Sequence, residues 1–180
     1  MPNQPSSRSL RIGLTLLSAL GRLVPHVPNV TPVGSSCLFA GSRLAGFWAY
    51  LLPLGVMIAT DPLVGGYSGA TPVIYASFLI SVWIGRHMLR NVTPTRVGAA
   101  AFLCSLQFFV LTNLATWGSA VLTHSGMYTA DLAGLAHCYM LALPFWGRTL
   151  AGDLAYSAAI FGVYELLNRR IAASRVAATA

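Results

Sequence analysis

Residues 131–170, DLAGLAHCYMLALPFWGRTLAGDLAYSAAIFGVYELLNRR, decide how the chain folds. This stretch holds three of the four acidic residues and ends on two arginines. An apolar run reaches Leu143, a break at residues 144–146 follows, and residues 147–168 supply the roughly 20 apolar residues that a bilayer-spanning helix needs. Whether the stretch crosses the membrane once or twice fixes the side on which every preceding segment lies.

The composition predicts an integral membrane protein in contact with a lipid bilayer. Of 180 residues, 56% are hydrophobic and only 8% are charged, whereas a soluble domain has about 25% charged residues. The net charge of +7 comes from arginines that lie at the ends of apolar runs. This placement follows the positive-inside rule and differs from the basic face of a nucleic-acid-binding fold, so we expect no nucleic-acid partner.

The hydrophobic pattern predicts an all-α membrane protein with about six transmembrane helices. We expect a disordered N-terminal tail at residues 1–9, a single helical transmembrane domain at 10–170 and a cytoplasmic C-terminal tail at 171–180. Residues 10–24 imitate a signal peptide, but Arg22 interrupts them and no clean cleavage site follows. We therefore interpret them as the first helix, with its N-terminus in the cytoplasm. The predicted helices cover residues 10–24, 33–43, 46–60, 72–88, 97–117 and 147–168.

The positions of the arginines then decide how many times residues 131–170 cross the membrane. Arg43 and the arginines of residues 86–96 lie in the cytoplasm if the first helix starts there, and residues 25–32, 61–71 and 118–130 form outer loops. A single last crossing returns Arg169 and Arg170 to the cytoplasm. We therefore predict that residues 131–143 form an outer-side half-helix before the last span, either re-entrant or interfacial. Both termini are then cytoplasmic.

The last predicted helix carries the most informative side chains. Trp146, Asp153 and Tyr156 fall on one stripe of a helix with about 100° per residue. An acid at membrane depth is expensive and usually faces the bundle interior or a wet cavity, so these three residues are candidate ligand-binding groups. Arg148 lies near the outer end, where a lone cation needs a ligand or an ionic partner. The alternative, in which Asp153 only pairs with an arginine such as Arg148, stays open.

The helix at residues 97–117 carries a second stripe of aromatic and polar side chains. Asn113 can donate and accept hydrogen bonds, and Trp117 lies near the outer end of the same helix. Rings that stack beside an amide would suit a flat heterocyclic ligand. The alternative is ordinary helix packing with an interfacial tryptophan.

The sequence predicts neither an enzyme nor a metal or cofactor site. The histidines show no HxxxH or HExxH spacing, the three cysteines are isolated, and no nucleotide-binding or nucleophile motif occurs. Glu165 and Arg169 are four residues apart, which favours a local ion pair.

Several segments together resemble a known family. They are RLVPHVPNVTPVGSSCLFAGSRLAG at residues 22–46, Asp61 before a glycine-rich loop, Ile84-Gly85-Arg86, and LPFWGRTLAGDLAYSAAIFGV at residues 143–163. Over about residues 10–170 they resemble an uncharacterised family of small bacterial integral membrane proteins. That family in turn resembles the substrate-binding S components of energy-coupling factor (ECF) transporters.

The resemblance implies a membrane-embedded substrate-binding subunit for uptake of a small, vitamin-like nutrient across the bacterial cytoplasmic (inner) membrane. Its small-molecule pocket would face outward, with Asn29, Thr31 and Asp61 contributed by outer loops. Its partners would be a coupling membrane subunit and ATPases. S components contact the coupling subunit through an alanine-xxx-alanine pattern on the first helix, from which Gly13 and Gly21, eight residues apart, depart. The alternative hypothesis is a structural or accessory membrane protein of a larger complex with no transport role.

Overall fold

The computed structural model describes residues 8–25 and 27–179, with side chains described as far as Ser174. Within these residues the chain forms six α-helices, one short 3-10 helix (Gly21–Leu23) and no strand, which confirms the all-α prediction. Of the predicted N-terminal tail at residues 1–9, residues 1–7 lie outside the described part of the chain, as does the last residue, whereas residues 8 and 9 belong to the first helix. The α-helices are α1 (Arg8–Leu20), α2 (Val33–Arg43), α3 (Trp48–Val64), α4 (Thr71–Met88), α5 (Pro94–Leu122) and α6 (Leu132–Thr179).

Helix α6 is continuous, so the predicted half-helix at residues 131–143 is wrong as a separate element. Pro144 lies inside α6, where a proline removes one backbone hydrogen bond. Contacts with α5 hold the segment before it: the Tyr139 hydroxyl donates to the Val110 carbonyl at 2.7 Å, and Cys138 Sγ lies 3.5 Å from the Asn113 carbonyl. Asp131 caps the helix by accepting from the Gly134 N–H at 2.8 Å. The 171–179 segment also continues α6.

Helix α3 runs further than predicted, through Asp61 and Pro62 to Val64. Pro62 cannot donate to the carbonyl four residues earlier, which belongs to Ile58. The Tyr67 hydroxyl donates to that carbonyl at 2.7 Å instead. Because this acceptor is satisfied by a side chain, the last turn of α3 tolerates the proline.

The helices alternate in direction. At one end, Arg11 Nη1 donates to the Arg43 carbonyl at 3.0 Å and Arg86 Nη2 donates to the Gly46 carbonyl at 2.9 Å. We call this the arginine end. At the opposite end, Arg22, which follows α1, forms an ion pair with Asp61 near the end of α3. The arginines of α1, α2 and α4 therefore gather on one side of the bundle.

Helix α2 forms the centre of the bundle, and its residues 33–41 are all buried. Phe39 packs edge-on against Phe161 and Tyr164 of α6 at 5.3 Å between centroids. Gly41 crosses α4 closely, since a Cβ there would lie 2.0 Å from the Val82 carbonyl oxygen. Helix α2 is about 16 Å long at 1.5 Å per residue, only half of a hydrocarbon layer of roughly 30 Å.

Two helices are long and apolar enough to cross a membrane, counted within the described ranges: Pro94–Leu122 and Leu132–Ser174. The sequence predicted about six crossings. The structure thus has the six helices, but only α5 and α6 meet the length and composition of a membrane span.

Candidate functional site

Two adjoining cavities lie among the start of α2 and helices α4, α5 and α6. The larger, of about 220 Å³, is called the aromatic cavity, and the smaller, of about 100 Å³, the Asp153 cavity. Asn29, Phe108 and Thr149 line both, so the two form one cleft. Together they lie at the lower end of the roughly 300–1,000 Å³ range of ligand pockets.

The lining of each cavity is as follows. The aromatic cavity is also lined by Phe109, Thr112, Asn113, Ala142, Phe145 and Trp146. The Asp153 cavity is also lined by Thr31, Gly34, Phe78, Ser81, Cys104 and Asp153.

Stacked rings form the wall of the aromatic cavity. Trp146 of α6 lies on Phe109 of α5, with centroids 5.3 Å apart and an interplanar angle of 27°. Tyr139 and Phe102 contact this pair edge-on. The buried Trp146 Nε1 has no hydrogen-bond partner among the described residues. A buried unpaired donor costs roughly 1–3 kcal/mol, a cost that an acceptor brought to this N–H would remove.

Asp153 lines the smaller cavity and is only 6% exposed. Within the described residues, neither of the chain's two ion pairs nor any hydrogen bond involves its carboxylate. Its backbone carbonyl, in contrast, accepts from the Ser35 hydroxyl at 3.0 Å, and the Ser157 hydroxyl lies 3.0 Å from that of Ser35. These bonds join α6 to the first turn of α2 and fix the position of Asp153.

Glycine and a helix terminus surround the carboxylate. A Cβ on Gly34, in the first turn of α2, would lie 2.5 Å from Asp153 Oδ1, so the carboxylate occupies the space that any other residue would fill. The N-terminus of a helix carries a partial positive charge from its unpaired N–H groups. This end of α2 favours the ionised carboxylate without neutralising it.

The open alternative for Asp153, an ion pair with Arg148, does not form. Arg148 is exposed, and the ion pairs of the described residues join Arg22 to Asp61 and Arg169 to Glu165. The second of these pairs was predicted from its spacing.

The structure brings five of the nine predicted ligand-binding residues into the cleft, and their role in binding stays a prediction. They belong to the loop before α2, to α5 and to α6: Asn29, Thr31, Asn113, Trp146 and Asp153. Asn29 has a φ of 68°, a left-handed conformation that asparagine tolerates better than most residues.

The other four predicted residues lie elsewhere. The Asp61 carboxylate accepts from Arg22 Nη1 at 2.6 Å and from the Tyr75 hydroxyl, which makes it a structural link at the end opposite the arginines. Trp117 Nε1 donates to the Thr129 carbonyl at 3.0 Å. Tyr156 packs against the core, and Arg148 is exposed, as noted above. These four predictions followed single helix faces and loop positions, which do not show what the neighbouring element contributes.

Sequence reasoning missed part of the lining. Phe108 and Thr112 are four residues apart and share a face of α5, beside the stripe that was singled out. Ser81 of α4, which lines the Asp153 cavity, was not among the predicted site residues. Their position in the cleft depends on how α4 and α5 rotate against α6, and helical spacing alone does not give that rotation.

No metal centre forms within the described ranges, where no three His, Cys, Asp or Glu side chains gather. The cleft offers instead one carboxylate, several hydroxyls and aromatic rings, a set suited to binding a small organic molecule.

Comparison with known proteins yields one match. The model of a family of unknown function (DUF6580) matches residues 3–175. No curated protein and no solved structure matches the chain.

Proposed function

Since the chain belongs to DUF6580, a family of unknown function, we propose that it is a membrane-embedded substrate-binding subunit for uptake of a small nutrient. The observation that carries this proposal is the buried carboxylate of Asp153, which lies at the side of an aromatic cleft and has no partner among the described residues. Removing a charge from water costs several kcal/mol unless a partner compensates. A ligand provides that partner, whereas a purely structural role gives no reason to keep the charge.

The position of the cleft supports uptake from the outer side. The aromatic cavity is lined by Asn29, from the loop that follows Arg22, and by Asn113, from the C-terminal half of α5. Both lie away from the arginine end, which we place in the cytoplasm by the positive-inside rule. The cleft then faces the outside, where a nutrient is captured.

We place the protein in the bacterial cytoplasmic (inner) membrane, crossing it with six helices and with both termini in the cytoplasm. Cysteine substitutions at His124, between α5 and α6, and at Arg170, labelled in intact cells by an impermeant maleimide, test this topology. We expect labelling at position 124 and protection at 170. Labelling of both positions from the same side contradicts a single crossing by α6.

Uptake against a gradient requires free energy. We assign it to a coupling membrane subunit and ATPases, in line with the resemblance to S components. Affinity purification of the tagged chain from native membranes tests this assignment. Co-purified ATPases support it, and a stable complex without any ATPase favours the accessory-protein hypothesis instead.

Ligand binding is tested on purified protein in an uncharged detergent. Thermal unfolding is followed with a panel of water-soluble vitamins and nucleobases, and small molecules that co-purify are identified by mass spectrometry. A ligand at one hundred times its Kd stabilises by about 2.7 kcal/mol, which raises the midpoint by roughly 5–10 °C for a chain of this size. If no compound shifts the midpoint and no small molecule co-purifies, the binding function is wrong.

A further inference from the structure

We propose that the ligand is a small organic cation, with a positively charged amine beside Asp153 and a planar ring in the aromatic cavity. This inference rests on the proposed binding function and adds the charge and polarity of the substrate. Three independent features of the cleft support it: its net charge, the direction of its hydrogen-bonding groups, and the division of its volume.

The described lining of the cleft holds one acidic side chain and no basic one. Among the described residues that line either cavity, Asp153 is the only carboxylate, and none is Arg or His. Attraction between opposite charges is much stronger in such a site than in water. A cationic ligand therefore compensates for the buried carboxylate, a neutral ligand leaves it unpaired, and an anionic ligand is repelled.

Three hydroxyls of the cleft already use their hydrogens. Ser81 donates to the Ser77 carbonyl at 3.1 Å, Thr112 to the Phe108 carbonyl at 2.7 Å, and Thr149 to the Phe145 carbonyl at 3.1 Å. Their oxygens are thereby left as acceptors. With the carboxylate, these groups favour a ligand that donates hydrogen bonds, as an ammonium group does.

The aromatic cavity adds a donor to these acceptors, two of which, Thr112 and Thr149, also line it. The buried Nε1 of Trp146 in its wall has no described partner. A ring with an acceptor atom satisfies this N–H while it stacks on the aromatic wall, and the same rings attract a nearby cation through their electron-rich faces. The structure thus assigns a ligand with an acceptor at its ring end and a charged donor at the other end.

The two volumes agree with this division. The aromatic cavity, at about 220 Å³, has room for a ring system, and the Asp153 cavity, at about 100 Å³, has room for a short charged group. Gly34 makes room for the Asp153 carboxylate at the side of the second cavity, because a Cβ there would lie 2.5 Å from Oδ1.

Matched probes test the charge preference on the intact protein. We would titrate wild-type protein in an uncharged detergent at neutral pH with tryptamine, its neutral analogue indole-3-ethanol and the anionic indole-3-acetate. Benzylamine and benzyl alcohol form a second cation and neutral pair. We expect each amine to bind at least tenfold more tightly than its alcohol, and indole-3-acetate to bind weakest.

Two carboxylate-to-amide variants on α6 locate the effect. Asp153→Asn should remove the tenfold preference for the amines and leave the affinity for the alcohols unchanged. Glu165→Gln is the matched control, because Glu165 is half exposed and pairs with Arg169, and it should keep the preference. If Asp153→Asn does not fold, the ranking of the three indole probes by the wild-type protein decides alone.

The outcomes separate this inference from the function on which it rests. Equal or tighter binding of indole-3-ethanol or indole-3-acetate overturns the cation assignment, as does failure of both amines to bind at millimolar concentration. If uncharged vitamins or nucleobases still stabilise the protein, the proposal that it binds a small molecule is supported and the proposal that the ligand is a cation is wrong. If no probe and no member of the vitamin panel binds, both proposals are wrong.

Discussion

Asp153→Asn should make the ligand-free protein more stable while it weakens binding. In the wild type, Asp153 is 6% exposed, and its carboxylate has no hydrogen-bond or ionic partner among the described residues. An amide of nearly the same size removes the charge and keeps the shape. A residue kept for binding at the expense of stability is a known trade-off in binding and active sites.

The magnitude follows from opposing terms. A buried charge costs several kcal/mol, of which the N-terminus of α2 recovers up to about 2 kcal/mol, and a buried amide without partners still costs about 1–3 kcal/mol. The net gain for Asp153→Asn is on the order of 2 kcal/mol, which raises the unfolding midpoint by about 4–8 °C for a chain of this size.

Thermal unfolding of ligand-free protein in an uncharged detergent, followed by tryptophan fluorescence, measures this gain. Glu165→Gln serves as the control, because an exposed ion pair contributes only about 0–1 kcal/mol. A midpoint for Asp153→Asn that lies several degrees below wild type refutes the reasoning. It would mean that the carboxylate accepts hydrogen bonds that hold the fold together.

Three further perturbations test other parts of the structure. Arg22→Met leaves the Asp61 carboxylate without its cation and should lower the free energy of unfolding by about 3–5 kcal/mol. Adding Asp61→Leu should recover part of this loss in the same unfolding assay, and a larger loss in the double variant contradicts the pairing. Hydrogen bonds lower the pKa of Asp131, so the stability that this residue contributes is complete above the unfolded pKa of about 3.9 and is lost as the pH falls through the folded pKa. When unfolding midpoints are measured from pH 6 to 2, the midpoint of Asp131→Asn should fall less than that of wild type, and parallel curves of midpoint against pH contradict the cap. Gly41→Ala places a Cβ 2.0 Å from an α4 carbonyl and should lower the free energy of unfolding by about 1–3 kcal/mol or more. The control Gly98→Ala has open space around it and should be neutral or stabilising by under about 1 kcal/mol. If the two variants change the unfolding midpoint equally, α2 and α4 do not cross closely at Gly41.

Much of the helical architecture could be predicted from local sequence. The bounds of α2 were predicted to the residue, and those of α4 to within one residue at its start. These ends carry strong local signals, such as the proline-rich segment before Val33 and Pro72 in the first turn of α4. The prediction erred at Pro62 and Pro144, where proline was taken to end a helix. In both places the helix continues, with Tyr67 satisfying one carbonyl and α5 packing against the other segment.

The site was predictable only in part, for a related reason. The period of α6 correctly placed Trp146 and Asp153 on its inward face. The same pattern could not show that Asp61 would meet Arg22, 39 residues earlier, or that Arg148 would have no acid nearby. Contacts between distant residues depend on the rotation and register of whole helices, which side-chain periodicity leaves free.

The sequence by itself determined that the chain is helical and apolar, where its arginines lie along the helices, and that an acid occupies the inward stripe of α6. Only the tertiary structure decided that the carboxylate of this acid meets no partner in the described part of the chain. It does so because α2 brings Gly34 and a helix N-terminus to Asp153, while α4 and α5 contribute hydroxyls and rings but no cation. The partner of a carboxylate depends on which groups folding brings within a few ångströms of it. Four separate segments of the chain meet at Asp153.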